Sequence, residues 1–219
     1  MTIVLFYHQV APPSPEQEPL VSPEAFRRQL DHLVRSGLAP VTLDDAVAGR
    51  DGFSITFDDG YLNVMEHAVP ALTERRASAA FFVIPRAIGK TDDWHCNREP
   101  ILDWPHLREL HRLGFTIGSH SQTHVDLTGI PLEAARREMV DSKKALEDGL
   151  GAPVRHFAFP KGRYTPELAK LVGEAGYAAG WATKKGDGTP FARRRFPVGA
   201  NAGMLRFRWR LRRMRWGMY

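Results

Sequence analysis

Two clusters in the sequence hold residue types suited to metal-assisted hydrolysis. Asp58 and Asp59 are adjacent and are followed by Gly60, while His120 and His124 are four positions apart. Side chains alternate along an extended chain, so the two aspartates are expected to project in different directions, one towards a cation and one towards substrate. A spacing of four is expected to bring both imidazoles to one side of a helical turn, near enough to share an ion. Each cluster has a plainer reading. Asp-Asp-Gly is good turn sequence, and a lone histidine pair is commonly a solvated or capping feature. The pair also lacks the glutamate that follows the first histidine in the His-Glu-x-x-His proteases. Together the clusters are far more specific, because two histidines and one carboxylate form a common catalytic zinc set that leaves a coordination position open. Cobalt, nickel and iron accept the same ligands.

The elements that must position these residues follow from periodicity. Short β-branched and aromatic runs alternate with longer amphipathic stretches, the pattern of βα units around a parallel sheet. Strands are expected at 3–7, 53–57, 79–84, 115–118, 156–159 and 177–181. Helices are expected from Ser22-Pro23-Glu24 towards Gly37, at 103–113 with Gly114 as the stop, and at 131–149. The polar residues of interest each follow a strand: His8, Asp58-Asp59-Gly60, Ser119-His120, Pro160-Lys161-Gly162 and Thr183. In a β/α barrel the carboxyl ends of all strands lie on one face, so residues far apart in sequence would converge there.

Thr56-Phe57-Asp58-Asp59-Gly60, followed by Ser119-His120-Ser121-Gln122-Thr123-His124, resembles the first two motifs of the polysaccharide deacetylases. This carbohydrate esterase group includes chitin, peptidoglycan and nodulation-factor deacetylases. The likeness runs from about the first strand to Trp181. It implies a distorted (β/α) barrel of seven strands, with Asp58 as general base and Asp59, His120 and His124 as ligands of a divalent metal ion, zinc foremost. Phe157-Ala158-Phe159-Pro160-Lys161-Gly162 is similar to the family's Arg-x-Pro-Tyr-Gly segment, which implies that the backbone amide of Lys161 helps to hold an oxyanion. Ala158 stands where that segment has arginine, and Lys161 where it has tyrosine; Arg155 and Arg163 are the neighbours that could compensate.

Many members supply the general acid from a Leu-x-His motif, but no histidine follows His156 here, and His156 does not fit that motif. Phe6-Tyr7-His8-Gln9-Val10 resembles instead the Tyr-His-x-Val/Ile opening of the exopolysaccharide deacetylases, in which an N-terminal histidine takes that role. The resemblance thus implies His8 as the acid; the plainer reading is a histidine buried against the barrel rim. Tyr61, Pro160, Tyr164 and Trp181 are candidates to line a sugar, although burial in the core is the commoner fate of aromatic residues. The implied activity is hydrolysis of an N-acyl, chiefly N-acetyl, group from an amino sugar in a polysaccharide, an oligosaccharide or a glycan precursor. A deformylase or imide hydrolase would keep the metal site and change the substrate. A catalytically silent carbohydrate-binding protein would have no need of a base beside a metal.

Bulk properties bound these readings. A chain of 219 residues, 43% hydrophobic and 25% charged, can bury a full core as one domain without disulfides. Cys96 is the sole cysteine, so no internal disulfide forms, and the balance leans towards the cytoplasm. The apolar stretch 3–7 has no basic residue before it and is too short for a leader or a membrane span, so it reads as a buried strand. Of 30 basic side chains, nine are arginines in 193–219, where there is no acid; residues 1–192 keep 21 against 25 acids. Basicity therefore belongs to the tail, at about 203–219, and uniform nucleic-acid binding does not explain it. Within the tail, 205–212 alternates apolar and basic residues, which as a strand gives one apolar and one arginine face. That strand would pack on the barrel or meet anionic headgroups or a lipid-linked phosphosugar, placing the protein at the inner membrane surface. His95, Cys96 and His106 match no usual ligand spacing and read as structural or surface residues. Residues 11–19, rich in proline and glutamate, read as a surface loop. Nothing in the sequence specifies the oligomeric state.

Overall fold

Period-two alternation along the strands builds two separate apolar layers. Ile3, Leu5 and Tyr7, with Phe53, Ile55, Phe57, Phe81 and Val83, belong to the large core shared with the helices. Val4, Ala80 and Phe82, which alternate with them, join Ala158, Ala179 and Trp181 in a small cluster inside the curl of the sheet. The computed structural model describes residues 2–13, 20–94, 98–183, 186–199 and 203–215. Residues 14–19 of the expected surface loop, and His95 and Cys96, lie outside the described residues.

Seven strands form one sheet: β1 (Thr2–Tyr7), β2 (Gly52–Phe57), β3 (Ala79–Val83), β4 (Thr116–Ser119), β5 (His156–Ala158), β6 (Ala179–Trp181) and β7 (Phe196–Pro197). Every pairing is parallel, in the order β6-β5-β4-β3-β2-β1-β7. The curl closes through 193–197. Arg193 bridges Trp181 at one edge, while Phe196 and Pro197 pair with Leu5 and Phe6 at the other. This is the distorted seven-stranded barrel that the sequence implies. Its last strand has only two residues, one of them proline, and carries no periodic signal.

Among the described residues, eight α-helices surround the sheet: α1 (Pro23–Arg35), α2 (Leu43–Val47), α3 (Asn63–His67), α4 (Val69–Glu74), α5 (Trp104–Arg112), α6 (Leu132–Leu150), α7 (Pro166–Glu174) and α8 (Met204–Arg215). Local chemistry sets the ends of the expected ones. Ser22 Oγ accepts a hydrogen bond from Ala25 N–H (3.1 Å), and Asp103 Oδ1 accepts one from His106 N–H (2.9 Å). Gly151 ends α6 at φ 68°, the left-handed conformation that glycine adopts at least cost.

The tail departs from expectation: 204–215 is helical. Its buried residues, Phe207, Leu211 and Met214, follow a spacing of four and three, and they join the main core where α8 meets α1. Arginine and leucine are good helix formers. The β1 edge that a tail strand would need is already taken by β7. Alternation over eight residues was too short a signal to outweigh these.

Candidate active site

All the strand-end motifs emerge on one face. Asp58 N–H donates to Tyr7 O (2.9 Å), His120 N–H to Val83 O (2.9 Å) and Phe159 N–H to Trp181 O (3.0 Å), so each chain segment leaves its strand at the same level. The expected alternation of the two aspartates does not hold, because Asp59 is not extended. It sits at φ 71° and Gly60 at φ 76°, a left-handed pair that turns the chain sharply under Val83. Aspartate tolerates that region better than most residues. The turn, not the pleat, separates the two carboxylates.

The histidines also converge without a helix. The chain from His120 to His124 is a loop in which Ser121 and His124 both take positive φ (64° each). His124 N–H donates to Ser121 Oγ (3.0 Å), and Glu138 of α6 accepts from both the amide and the hydroxyl of Thr123 (2.9 and 2.8 Å). The result places His120 Nε2 at 3.4 Å and His124 Nε2 at 3.3 Å from Asp59 Oδ1. One ligand atom from each of the three residues lies within 4.8 Å of the others, so the group could hold a metal ion.

Three features of the pocket fit a cation. Asp59 Oδ1 is buried and has no hydrogen-bond partner among the described residues, a state that costs about 1–3 kcal/mol unless something else satisfies it. Burial, together with the nearby charges of Asp58 and Asp92, pushes the Asp59 carboxyl well up, so an ionised Asp59 calls for a compensating positive charge. His120 Nδ1 lies 2.8 Å from the carbonyl of Ala158, which can only accept, so Nδ1 carries the proton and Nε2 presents its lone pair to Asp59. Burial lowers His120 to about 4, with Asp58 opposing and Arg195 adding to the effect, which keeps the imidazole neutral as ligation requires.

Asp58 has the opposite environment. Arg195 Nη1 donates to Oδ1 (2.6 Å) and Nη2 to Oδ2 (2.8 Å), a bidentate buried pair. Nη1 also donates to Thr56 Oγ1 (3.0 Å), and the guanidinium lies over the rings of Phe6 and Phe82 (4.9 and 5.0 Å). Burial alone would raise the Asp58 carboxyl, but Arg195, His120 and His8 outweigh it and hold it below the usual carboxylate range. Two adjacent carboxylates are thereby given unlike protonation behaviour, a common mark of divided acid–base roles.

Arg195 is the functional residue that sequence reasoning missed. It sits in the run Arg193-Arg194-Arg195, which enters the reading above only in the count of arginines over 193–219; the one available sign is the short apolar Phe196-Pro197-Val198 after it. Neither neighbour expected to supply a guanidinium does so, since Arg155 pairs with Asp44 (3.0 Å) and Arg163 with Asp126 (2.9 Å). Replacing Arg195 by methionine is expected to raise the Asp58 carboxyl and to destabilise the fold by about 3–5 kcal/mol near neutral pH, because a buried carboxylate loses its partner. Urea unfolding would report the loss. The acid limb of kcat/KM against pH would move upward, and an unmoved limb would dissociate Arg195 from the ionisation of Asp58.

The remaining predicted residues have mixed placements. His8 follows β1 and is exposed, contrary to the buried-rim alternative; its ring lies 5.7 Å from that of Phe6, and its charge is felt at both Asp58 and His120. Lys161 sits at φ 57° in the turn after the buried Pro160. The bonds that close this turn use the amides of Gly162 and Arg163.

Trp181 offers no face to a sugar. It is buried inside the barrel, where its Nε1 donates to His156 Nδ1 (3.3 Å), because alternation on β6 turns it inward. Tyr61 is likewise buried, its hydroxyl donating to Asp92 Oδ2 (3.0 Å) and accepting from Trp94 Nε1 (3.2 Å). Trp94, not singled out from sequence, is partly exposed and lies 4.9 Å from the His124 ring, so Tyr61 orients the aromatic beside His124 instead of presenting its own ring. Tyr164 is half-buried, with its ring near Phe159 (5.5 Å) and its hydroxyl accepting from Asp187 N–H (3.0 Å). His106 pairs with Asp103 at the start of α5 and has a structural place.

Residues 47–180 match the family model described as polysaccharide deacetylase. The chain is 28% identical over 188 residues to YxkH, a polysaccharide-deacetylase homologue of Bacillus subtilis, covering 84% of this chain and 64% of that one. It is 29% identical over 154 residues to a chitooligosaccharide deacetylase of Sinorhizobium fredii, covering 69% of this chain and 63% of the other. The chain thus spans less than two thirds of the length of these relatives. Among solved structures, IcaB from Ammonifex degensii superposes with a TM-score of 0.81 at 26% identity, over 95% of this chain and 96% of that one.

Proposed function

The chain belongs to the polysaccharide deacetylase family, and from that premise we propose that it removes the acetyl group from an N-acetylated amino sugar of an oligo- or polysaccharide, with a divalent cation held by Asp59, His120 and His124. The observation that carries this reading is the pairing of an ionised Asp58, clamped by Arg195, with a neighbouring carboxylate that faces the imidazoles of His120 and His124. A binding site alone has no use for that division. The likeness to a chitooligosaccharide deacetylase supports an N-acetylhexosamine substrate.

A bound divalent cation would acidify water, to a pKa of ~7, and polarise the acetyl carbonyl. Zinc fits two imidazoles and a carboxylate; cobalt, nickel and iron fit the same set. Asp58, ionised and fixed by two guanidinium bonds, accepts the proton of the attacking water. His120, lowered to about 4 by burial, stays neutral and does not compete for it. The Lys161 amide donates to the developing oxyanion, a contact typically worth about 3 kcal/mol of barrier. His8, exposed at the end of β1 on the Asp58 side, protonates the departing amine. Trp94 forms an apolar wall beside His124 against which a sugar ring can rest.

The test is acetate release from a panel of N-acetylhexosamine oligomers and lipid- or nucleotide-linked N-acetyl sugars, with zinc or cobalt supplied. Acetate from at least one member, absent with the Asp58→Asn variant, is the expected result. Formate release, or no product from any member despite bound metal, would transfer the site to another amide. In the same assay His8→Gln is expected to lower kcat by about 10²–10⁴-fold and to remove the basic limb of the pH profile; an unchanged limb would take the acid role from His8.

A further inference from the structure

Helix α8 carries two unlike faces. Phe207, Leu211 and Met214 are buried, and Phe207 meets His32 of α1 edge to face (6.3 Å). At 100° per residue the opposite face holds Leu205 and Trp209, one turn apart. These are the two most exposed large apolar side chains among the described residues, at 84% and 55%. The same rotation sets Arg208 and Arg212 along one flank of this ridge and Arg206 and Arg213 along the other. The Arg213 guanidinium lies over the Trp209 ring (4.9 Å).

We propose that this face binds the surface of an anionic lipid bilayer, with Leu205 and Trp209 entering the headgroup–acyl boundary and the flanking arginines at the lipid phosphates. Charge complementarity is local: there is no acid in 193–219, whereas residues 1–192 are net acidic, so attraction to an anionic surface would orient the molecule by this end. An apolar ridge with cationic flanks suits a helix lying in the interface plane, where tryptophan is favoured. A nucleic-acid strand would use the arginines and stack on Trp209, but it gives Leu205 no role. Among the described residues no helix is long and apolar enough to cross a membrane, so the contact is peripheral.

Sedimentation of the full chain with vesicles tests this without reference to the deacetylase reading. In about 0.1 M salt the protein is expected to pellet with phosphatidylglycerol-containing vesicles and to remain in solution with phosphatidylcholine alone. Leu205→Ser with Trp209→Ser, and separately Arg206→Gln with Arg212→Gln, is expected to weaken partitioning by about tenfold or more. Both pairs alter exposed side chains, and unchanged thermal unfolding would show that the fold is intact. Failure of the wild-type chain to pellet with anionic vesicles overturns the proposal. So does undiminished binding by the Leu205/Trp209 variant, and if a single-stranded oligonucleotide then displaced that variant from vesicles, the face would be a general polyanion site.

Discussion

Asparagine at position 58 is expected to cut kcat/KM for acetate release by about a hundred- to ten-thousand-fold while leaving the metal bound, because the substitution removes a proton acceptor without touching Asp59, His120 or His124. It also leaves the Arg195 guanidinium buried without an anion, so stability should fall by about 3–5 kcal/mol near neutral pH. The pH dependence of that loss is diagnostic. A carboxyl held below its unfolded value stabilises the fold above the unfolded pKa, and this contribution disappears as pH falls through the folded pKa. Wild-type stability should therefore decline on acidification below the usual carboxylate range, and the Asp58→Asn variant should lack that part of the decline. Urea midpoints across acid pH, read beside metal content, would check both. Wild-type activity in the variant would remove Asp58 from the chemistry, whereas lost metal would make it a ligand.

Alanine at position 59 should act on the opposite function. Asp59 Oδ1 is the atom that both Nε2 groups face, so its removal takes away the carboxylate of the proposed ligand set and leaves two imidazoles that would hold a cation weakly. Metal retained through gel filtration should fall from near one ion per chain to background, and acetate release should fall with it. The unfolding transition carries a second signature. Burial and the neighbouring Asp58 and Asp92 push the Asp59 carboxyl up, so in metal-free protein its ionised form opposes folding at neutral pH. Chelation is therefore expected to lower the melting temperature of the wild type and leave Asp59→Ala unmoved, with the metal-free variant at least as stable as the metal-free wild type. Stoichiometric metal in the variant would refute the ligand assignment.

The two experiments separate what adjacency in the sequence obscures. Asp58 and Asp59 have the same side chain and neighbouring positions, and their different ionisation depends on what each meets. One is clamped by a guanidinium contributed 137 residues downstream, and the other faces a loop some sixty residues on.

The residue types suited to the chemistry, and most of the elements that present them, can be read from local sequence. Short apolar runs of four to six residues, most of them followed by polar side chains, specified parallel strands whose ends meet on one face. Capping chemistry at Ser22 marked a helix start, since such a hydrogen bond forms within four residues and needs no tertiary partner. The grouping of Asp59, His120 and His124, which could hold a metal ion, was legible because its members lie in two short motifs. Tertiary structure alone decided which partner each group received. Arg195 reaches Asp58 only because a two-residue strand containing proline closes the barrel, and so short an element leaves no periodicity to read. Trp181 and Tyr61 look like sugar platforms in sequence, but the direction of a side chain on its strand or turn, and so its burial, depends on the elements packed around it. The tail became a helix because the sheet edge it would have joined was occupied, a competition between distant segments that eight residues of alternation do not encode.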